Sequence, residues 1–279
     1  MGSDATPTGI TEESLTVEQA IANLQQTEDP SSRYYAAWWI GRFRVREPIA
    51  IDALIQALND ETDRSPDGGY PLRRNAARAL GKVGDRQSVP PLAACLACAD
   101  YYVREAAAQS LEELGDASCA AALAALLDGG MEDTELRPGT PHLRQPYDAV
   151  IEALGTLGVK DAIHVIQPFV EHPVPRIRYA AARAMYQLTQ ESQYGDRLVQ
   201  ALGETDLQLR RTALMDLGAT GYVPAAGAIA QTHAENSLKL IALKGLLESH
   251  LASRDPITTE KFELPASATH IMELMDSLL

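Results

Sequence analysis

Three short blocks in the first half of the chain combine aromatic with basic side chains, which together could bind a conjugated ligand that carries acid groups. The residues of this kind that we single out are Tyr34, Trp38, Trp39, Arg74, Arg78, Tyr101 and Tyr102. Trp and Tyr rings offer a flat, polarisable wall, and the planar guanidinium of Arg forms forked hydrogen bonds with carboxylates. Two structural alternatives stay open, namely an end repeat that buries the tryptophans and a surface patch that solvates the arginines.

The spacing within these blocks limits where the side chains can point. Consecutive Trp38 and Trp39 cannot both face the interior from one helix, so one of them must lie toward a groove or a partner. Arg74 and Arg78 are four residues apart, so on a helix both heads point to the same side. This pair could therefore clamp two propionate-like groups of one ligand.

A repeat that runs from one end of the chain to the other must position these residues. The pattern Arg-x-x-Ala-Ala-x-Ala-Leu-Gly starts at Arg73, and related copies start 29 to 40 residues apart. The copies begin at Arg33, Arg73, Arg104, Arg144, Arg178, Arg210 and Lys239. Self-similarity at such a period is typical of a solenoid. We therefore predict an all-α fold, a helical-repeat solenoid or α-α superhelix of about seven helical pairs.

A helical wheel drawn for the repeat separates two faces of the second helix of each pair. Counting the leading Arg as position 0, positions 3, 4, 7 and 11 hold Ala, Leu and Ile and should pack inward. Positions 1, 5 and 9 fall on the other side and should line a concave groove. The leading Arg lies at the edge of the apolar face, so we interpret it as structural, its head reaching a carboxylate or a helix end.

Two carboxylates on the predicted second helices are candidates for acid–base work. Glu105 has the same position in its repeat as Arg74 and should lie beside it in the stack. Asp148, counted from Arg144, occupies position 4, where the other copies have Ala or Leu. A carboxylate at such a position is costly without a partner. An N–H group of a ligand or a neighbouring arginine could be that partner, and both remain open.

Composition excludes several classes of function. The 279 residues carry a formal charge of −14, which disfavours nucleic acid and anionic membranes as partners. Three cysteines, Cys95, Cys98 and Cys119, are too few for a disulfide scaffold and indicate a reducing, cytoplasmic location. The six histidines have no metal-binding spacing, and Cys95-x-x-Cys98 lacks a second pair, so we predict no metal. No apolar run is long enough to span a membrane.

Changes in composition along the chain predict its domain organisation. Residues 1–14 are polar and contain Gly and Pro, which predicts a flexible tail. Residues 15–250 form the repeat domain, with a long loop over 128–141 whose role the sequence leaves open. Residues 251–279 are predicted to be a linker followed by a helix that caps the open end of the stack.

The three aromatic and basic blocks, in this order, resemble a known family. Residues 33–41, 68–82 and 100–111 are similar to the E (alpha) subunits of the heterodimeric E/F-type phycobilin lyases, which are built from HEAT-like repeats. The similarity extends over about residues 15–250. Bare Arg-x-x-Ala-Ala is common to many HEAT-like proteins, so the specificity lies in the blocks.

The resemblance implies a function and partners. Such a chain pairs with a shorter F-type subunit, takes phycocyanobilin as its substrate, and attaches it by a thioether to one cysteine of the phycocyanin alpha chain. No cofactor is implied, and the nucleophile is the thiolate of the acceptor protein. In this setting Arg74 and Arg78 would take the propionates, the aromatic rings would contact the conjugated face, and Glu105 or Asp148 would accept the pyrrole N–H groups and favour the protonated bilin.

A function from another class is compatible with the composition alone. A HEAT-like scaffold that only binds other proteins would show the same repeats and the same acidic charge. A relative that carries or removes bilin is a further alternative. A shifted visible absorption band on mixing with bilin and an F-type subunit would separate these cases.

Overall fold

The computed structural model describes residues 15–133, 141–252 and 264–279. These residues form 15 α-helices and seven short 3-10 segments, and no strand occurs among them. The predicted all-α fold is confirmed. The predicted tail over 1–14, residues 134–140 of the long loop and residues 253–263 of the linker lie outside the described residues. None of the helices in the described ranges is long and apolar enough to cross a membrane.

Fourteen of these helices form seven successive pairs. The first helices of the pairs are α1 (Val17–Gln25), α3 (Pro48–Ala57), α5 (Val89–Cys95), α7 (Ala120–Ala124), α9 (Ile163–Ile166), α11 (Ser192–Ala201) and α13 (Ala226–Gln231). The second helices are α2 (Pro30–Arg42), α4 (Pro71–Val83), α6 (Tyr101–Leu114), α8 (Tyr147–Thr156), α10 (Pro175–Thr189), α12 (Leu207–Thr220) and α14 (Asn236–Ala252). The last helix, α15 (Ala266–Asp276), packs against α13 and α14.

Local sequence signals set where the second helices begin. Asp29, Asp100 and Asp206 each accept a hydrogen bond from the backbone N–H two residues further on, and each is the N-cap of its helix. Pro30 and Pro71 occupy first positions, where a missing N–H costs nothing. The second helices therefore start at defined residues, which fixes the side chains that follow.

Each second helix packs directly on the second helix of the next pair, and together these helices form one layer. We call it the inner layer, because in helical-repeat solenoids such a layer lines the concave surface. Small residues allow the close approach. A Cβ added at Gly41 of α2 would lie 2.8 Å from the Ala79 Cα on α4, and one added at Gly155 of α8 would lie 2.6 Å from the Ala184 Cα on α10. Backbones that close leave no room for a larger residue at the contact, so the inner layer is held at short spacing.

In six of the seven repeats, the basic residue at position 0 donates a hydrogen bond to a backbone carbonyl at the end of the first helix of the pair or within a few residues after it. The donor and acceptor pairs are Arg33 to Leu24, Arg73 to Asp60, Arg104 to Cys98, Arg178 to His172, Arg210 to Glu204 and Lys239 to Ala230. The carbonyls at a helix C-terminus lack intrahelical donors and carry partial negative charge, so a cation there is favourable. The structural interpretation of these residues is confirmed.

The sequence alignment of the fourth repeat is wrong: in the structure its position 0 lies three residues further along the chain than predicted. Arg144 lies three residues before α8, which begins at Tyr147 with Pro146 as its N-cap. Proline disfavours helical geometry in the residue before it, so the helix begins only after Pro146. Gly155 makes the close contact that Gly41 makes in the first repeat, so Tyr147, which is 1% exposed, takes the place of the leading Arg. Asp148 is therefore at position 1, on the groove side, and not at the Ala position.

The close contact between α8 and α10 predicts a steric effect at Gly155. Gly155→Ala should lower the free energy of unfolding by about 1–3 kcal/mol, because the added methyl meets backbone atoms of α10 that have no way to move aside. Gly227→Ala is the matched control, since nothing lies within 4 Å of its added Cβ; its stability should stay the same or rise by under about 1 kcal/mol. Urea unfolding of both variants measures the difference, and equal stability would contradict the contact.

Candidate functional site

A cavity of about 450 Å³ lies where the second and third repeats expose the starts of α4 and α6. We call it the edge pocket, and the loop 64–70 and residues 142–144 complete its walls. Its aromatic lining residues are Tyr70, Tyr101 and Tyr102, with His142 beside them, and its basic lining residues are Arg64, Arg74, Arg104 and Arg144. The volume falls within the range of small-molecule sites, about 300–1,000 Å³.

One carboxylate holds the two sides of the edge pocket together. Asp100 caps α6 by accepting the Tyr102 N–H at 2.8 Å, and its other oxygen accepts the Tyr70 N–H at 2.7 Å. The ring of Tyr101 stacks on His142 with centroids 4.1 Å apart. The tyrosine rings are therefore fixed by the helix start and by a residue from the loop before α8.

Arg74 is the guanidinium of the edge pocket that is best placed for an anion. It lies over the Tyr102 ring at 5.7 Å, and its Nε is buried with no hydrogen-bond partner. Arg64, in contrast, is 3.9 Å from the Tyr70 ring centroid and donates to the Gly68 carbonyl at 2.7 Å. A carboxylate bound by Arg74 would meet a donor that the fold has left unsatisfied.

The predicted charged residues meet on the concave wall next to the edge pocket. Arg78 is half exposed and lies 4.0 Å from a carboxylate oxygen of Glu105. Burial, and then the nearby Asp148 carboxylate, raise the pKa of Glu105. Asp148 is itself buried and paired with Arg176 at the start of α10. Burial, followed by the charges of Asp148 and Glu105, also raises the pKa of Tyr101.

The aromatic block of the first repeat divides between the surface and the core. Trp38 is 47% exposed and stacks on Tyr35 with ring centroids 5.5 Å apart. Trp39 is buried, so its ring faces the interior and not the groove, and it also contacts the ring of the exposed Phe43. Tyr34 donates its hydroxyl hydrogen to Asp63, and burial together with this bond raises its pKa to about 12. Of the two tryptophans, Trp38 therefore has the ring that a ligand or partner can reach.

A second charged group occupies the middle of the concave wall. We call it the Arg183 cluster: Arg183 lies 3.1 Å from Glu112, 3.8 Å from Glu152 and 3.4 Å from Asp216. Thr156 joins it by donating to Glu112 at 2.7 Å. The members come from α6, α8, α10 and α12, so one guanidinium connects four successive helices of the inner layer.

Two carboxyl groups of this cluster, those of Glu152 and Asp216, have pKa values above their usual range. Burial raises the pKa of Glu152 to about 8, and the neighbouring Asp216 carboxylate contributes in the same direction. Burial likewise raises the pKa of Asp216 to about 6, although Arg183 opposes the shift. Desolvation disfavours the charged form of an acid, and one guanidinium cannot compensate three carboxylates. The cluster therefore carries a proton at neutral pH.

Sequence reasoning missed several of these residues. His142 and Arg64 reach the edge pocket from loops, where no periodic pattern marks them. Glu152 and the wall position of Asp148 could have been found by aligning Gly155 with Gly41, since both glycines make the same contact. In the described part of the chain, no three His, Cys, Asp or Glu side chains are grouped so as to hold a metal ion.

Comparison with known proteins now places this geometry in a family. Residues 62–135 and 146–218 match HEAT repeats, and residues 32–60 match the PBS lyase HEAT-like repeat. The chain is 61% identical to the phycocyanobilin lyase subunit alpha of Picosynechococcus sp., over 96% of this chain and 97% of the relative. The chain belongs to the phycocyanobilin lyase alpha-subunit family. The resemblance noted in the sequence is confirmed.

Other members of the phycocyanobilin lyase alpha-subunit family and a solved structure agree. The subunit from Synechocystis sp. is 64% identical over 95% of this chain and 96% of its own length. The bilin biosynthesis protein PecE of Mastigocladus laminosus is 43% identical over 94% of this chain and 92% of its own. A solved structure, the complex of CpcE and CpcF of phycocyanin lyase from Nostoc sp., matches with a TM-score of 0.87 and 58% identity, covering both chains completely.

The raised pKa of Glu152 predicts how stability depends on pH. Between about pH 4.5 and 8 the folded protein keeps this proton and the unfolded chain loses it, so the free energy of unfolding falls as pH rises. The Gln side chain of the Glu152→Gln variant cannot titrate, so the melting temperature of this variant should rise relative to that of the wild type as pH increases through this window. Glu248→Gln, an exposed control on α14, should keep a constant difference. A constant difference for Glu152→Gln as well would contradict the assignment.

Proposed function

We propose that this chain is a subunit of a bilin lyase that binds phycocyanobilin. With an F-type partner subunit it attaches the bilin by a thioether to a specific cysteine of the phycocyanin alpha chain. The observation that carries the proposal is the full-length match to a chain of the CpcE and CpcF complex, at 58% identity and a TM-score of 0.87. Bilin binding, the acceptor chain and a cytoplasmic location belong to the proposal.

The side chains near the edge pocket suit the chemistry of an open-chain tetrapyrrole. Its propionates are anions and would pair with Arg74 and Arg78, of which Arg74 has an unsatisfied Nε. Its conjugated face would lie against Tyr101 or Tyr102, with Trp38 exposed further along the wall. Glu105 and Asp148 would accept its pyrrole N–H groups, with Asp148 giving up part of its pairing with Arg176.

The reaction that we propose needs orientation more than a strong catalyst. The acceptor S–H adds across the exocyclic ethylidene double bond of ring A: sulfur bonds to the exocyclic carbon and hydrogen ends on the adjacent ring carbon. No oxidant or reductant is required. Since a free bilin can add to thiols without help, holding it in one pose selects one cysteine and one stereochemistry.

Two single variants test the proposed ligand contacts. The chain, an F-type subunit and phycocyanobilin should give a shifted visible band, followed by covalent transfer to the phycocyanin alpha chain. Arg74→Ala and Asp148→Asn should each reduce transfer by about tenfold or more, because each removes a charge-assisted hydrogen bond. Arg197→Ala, in the outer helix α11, is the matched control and should transfer like the wild type.

The remaining measurements decide between the proposals. Sedimentation should show one stoichiometric complex with the F-type subunit for every variant, so that loss of transfer is not loss of assembly. Full activity of both site variants would move the bilin elsewhere on the chain. A wild-type complex that shifts no visible band and transfers nothing would favour the alternative, a HEAT-repeat scaffold without a ligand.

The three cysteines provide a separate test of the mechanism. Burial raises the pKa of Cys95 to about 11 and raises that of Cys119, so these thiols are poor nucleophiles at neutral pH. A variant with Cys95, Cys98 and Cys119 all replaced by Ala should lose some stability through poorer packing and still transfer bilin. Transfer per folded molecule is the measurement, and its disappearance in a folded triple variant would overturn a mechanism that uses only the acceptor thiol.

A further inference from the structure

The Arg183 cluster has more acceptors than donors. Three carboxylates from α6, α8 and α12 surround one guanidinium, which leaves a formal charge of −2 before any proton is bound. The side chains are only 5–24% exposed, so water satisfies them poorly. A buried group of like charges of this kind is costly unless a further donor or cation joins it.

Buried side-chain atoms that have no hydrogen-bond partner show where a further donor could bind in the cluster. Asp216 is 3% exposed, and its Oδ2 is buried with no hydrogen-bond partner. The Gln187 Oε1 one turn after Arg183 is buried and unpartnered as well, and so is the Arg183 Nε, a donor. Two of these three atoms are acceptors, and the three carboxylates add further acceptors, so a ligand with several N–H groups suits the cluster better than an anion does.

The cluster continues the wall that carries the proposed bilin contacts. Glu152 follows Asp148 by one helical turn on α8, so both side chains lie on one face. The charged groups facing Glu152 are Asp148 on its own helix, Glu112 on α6, Arg183 on α10 and Asp216 on α12. The wall is thus basic at α4, where Arg74 and Arg78 lie. From α6 to α12 the carboxylates Glu105, Glu112, Asp148, Glu152 and Asp216 outnumber the two arginines on these helices that contact them, Arg176 and Arg183.

A linear tetrapyrrole has the matching polarity. Its propionates project from one edge of the two central rings, and its four ring nitrogens line the opposite edge. We propose that the Arg183 cluster continues the row of N–H acceptors that begins with Glu105 and Asp148, and that Glu152 and Asp216 bind the imine-type ring nitrogen of the bilin in its protonated form. This inference rests on the proposed function, and it assigns the proton donor within that site.

In this subsite one proton passes from Glu152 to the bilin. Glu152 enters as a neutral carboxyl group, and its proton moves to the imine-type ring nitrogen, so one O–H bond breaks and one N–H bond forms. The product is a carboxylate paired with a bilin cation, which the buried site stabilises through the unpaired acceptors. A protonated bilin is the more electrophilic form, so the same transfer prepares ring A for the acceptor thiol.

The test follows the protonation of the bound bilin and not its transfer. Wild type, Glu152→Gln and Asp216→Asn are each mixed with the F-type subunit and phycocyanobilin, and the long-wavelength band of the protonated bilin is titrated from about pH 6 to 9. The wild type should hold the bilin protonated to a pH at least about one unit above free bilin. In both variants the midpoint should fall by about one unit, with binding weakened less than tenfold. Glu248→Gln is the control.

Three results would differ from these expectations, and each leads to a different conclusion. Wild-type midpoints in both folded variants would overturn the inference and leave the lyase function standing. Weaker assembly with the F-type subunit and an unchanged bilin titration would assign the cluster to a basic side chain of the partner instead, and would equally overturn it. Absence of any bilin band with wild-type protein would overturn the proposed function itself, together with this subsite.

Discussion

The close contact between consecutive second helices is the constraint on which the rest of the structure depends. Where Gly155 meets Ala184, or Gly41 meets Ala79, no side chain separates the two backbones. Neighbouring helices at that spacing place their positions 1 and 5 side by side, so residues far apart in sequence become one wall. Arg78 reaches Glu105, and Arg183 reaches three acids, only because of this spacing.

The basic residue at the start of six repeats pairs with backbone carbonyls that the short first helices leave without intrahelical donors at their C-terminal ends. Arg33 is 6% exposed and binds both the Leu24 carbonyl and the Asp60 carboxylate, which links two repeats. Tyr147 replaces this device in the fourth repeat with a buried ring packed on Phe169. In the same repeat, residues 142–144, which lie shortly before α8, reach the edge pocket.

Sequence predicted the features that repeat, and missed those that occur once. Ala and Gly at fixed positions predict the helical pairs, and the paired spacing of Arg74 and Arg78 predicts their common face. The fourth repeat was misaligned by three residues, because Arg144 resembles the leading Arg while the packing follows Gly155. The edge pocket depends on the loop 64–70 and on His142, and the Arg183 cluster on four helices, so no local pattern could reveal either of them.

The reach of Arg183 also bears on how the chain unfolds. In most solenoids each repeat touches only its neighbours, and unfolding behaves as a one-dimensional chain of nearest-neighbour couplings. Arg183 on α10 contacts Glu112 on α6, two helices away in the inner layer, while also contacting Asp216 on α12. A coupling beyond the nearest neighbour joins the third to the sixth repeat into one cooperative block, so fraying from either end should stop at its borders.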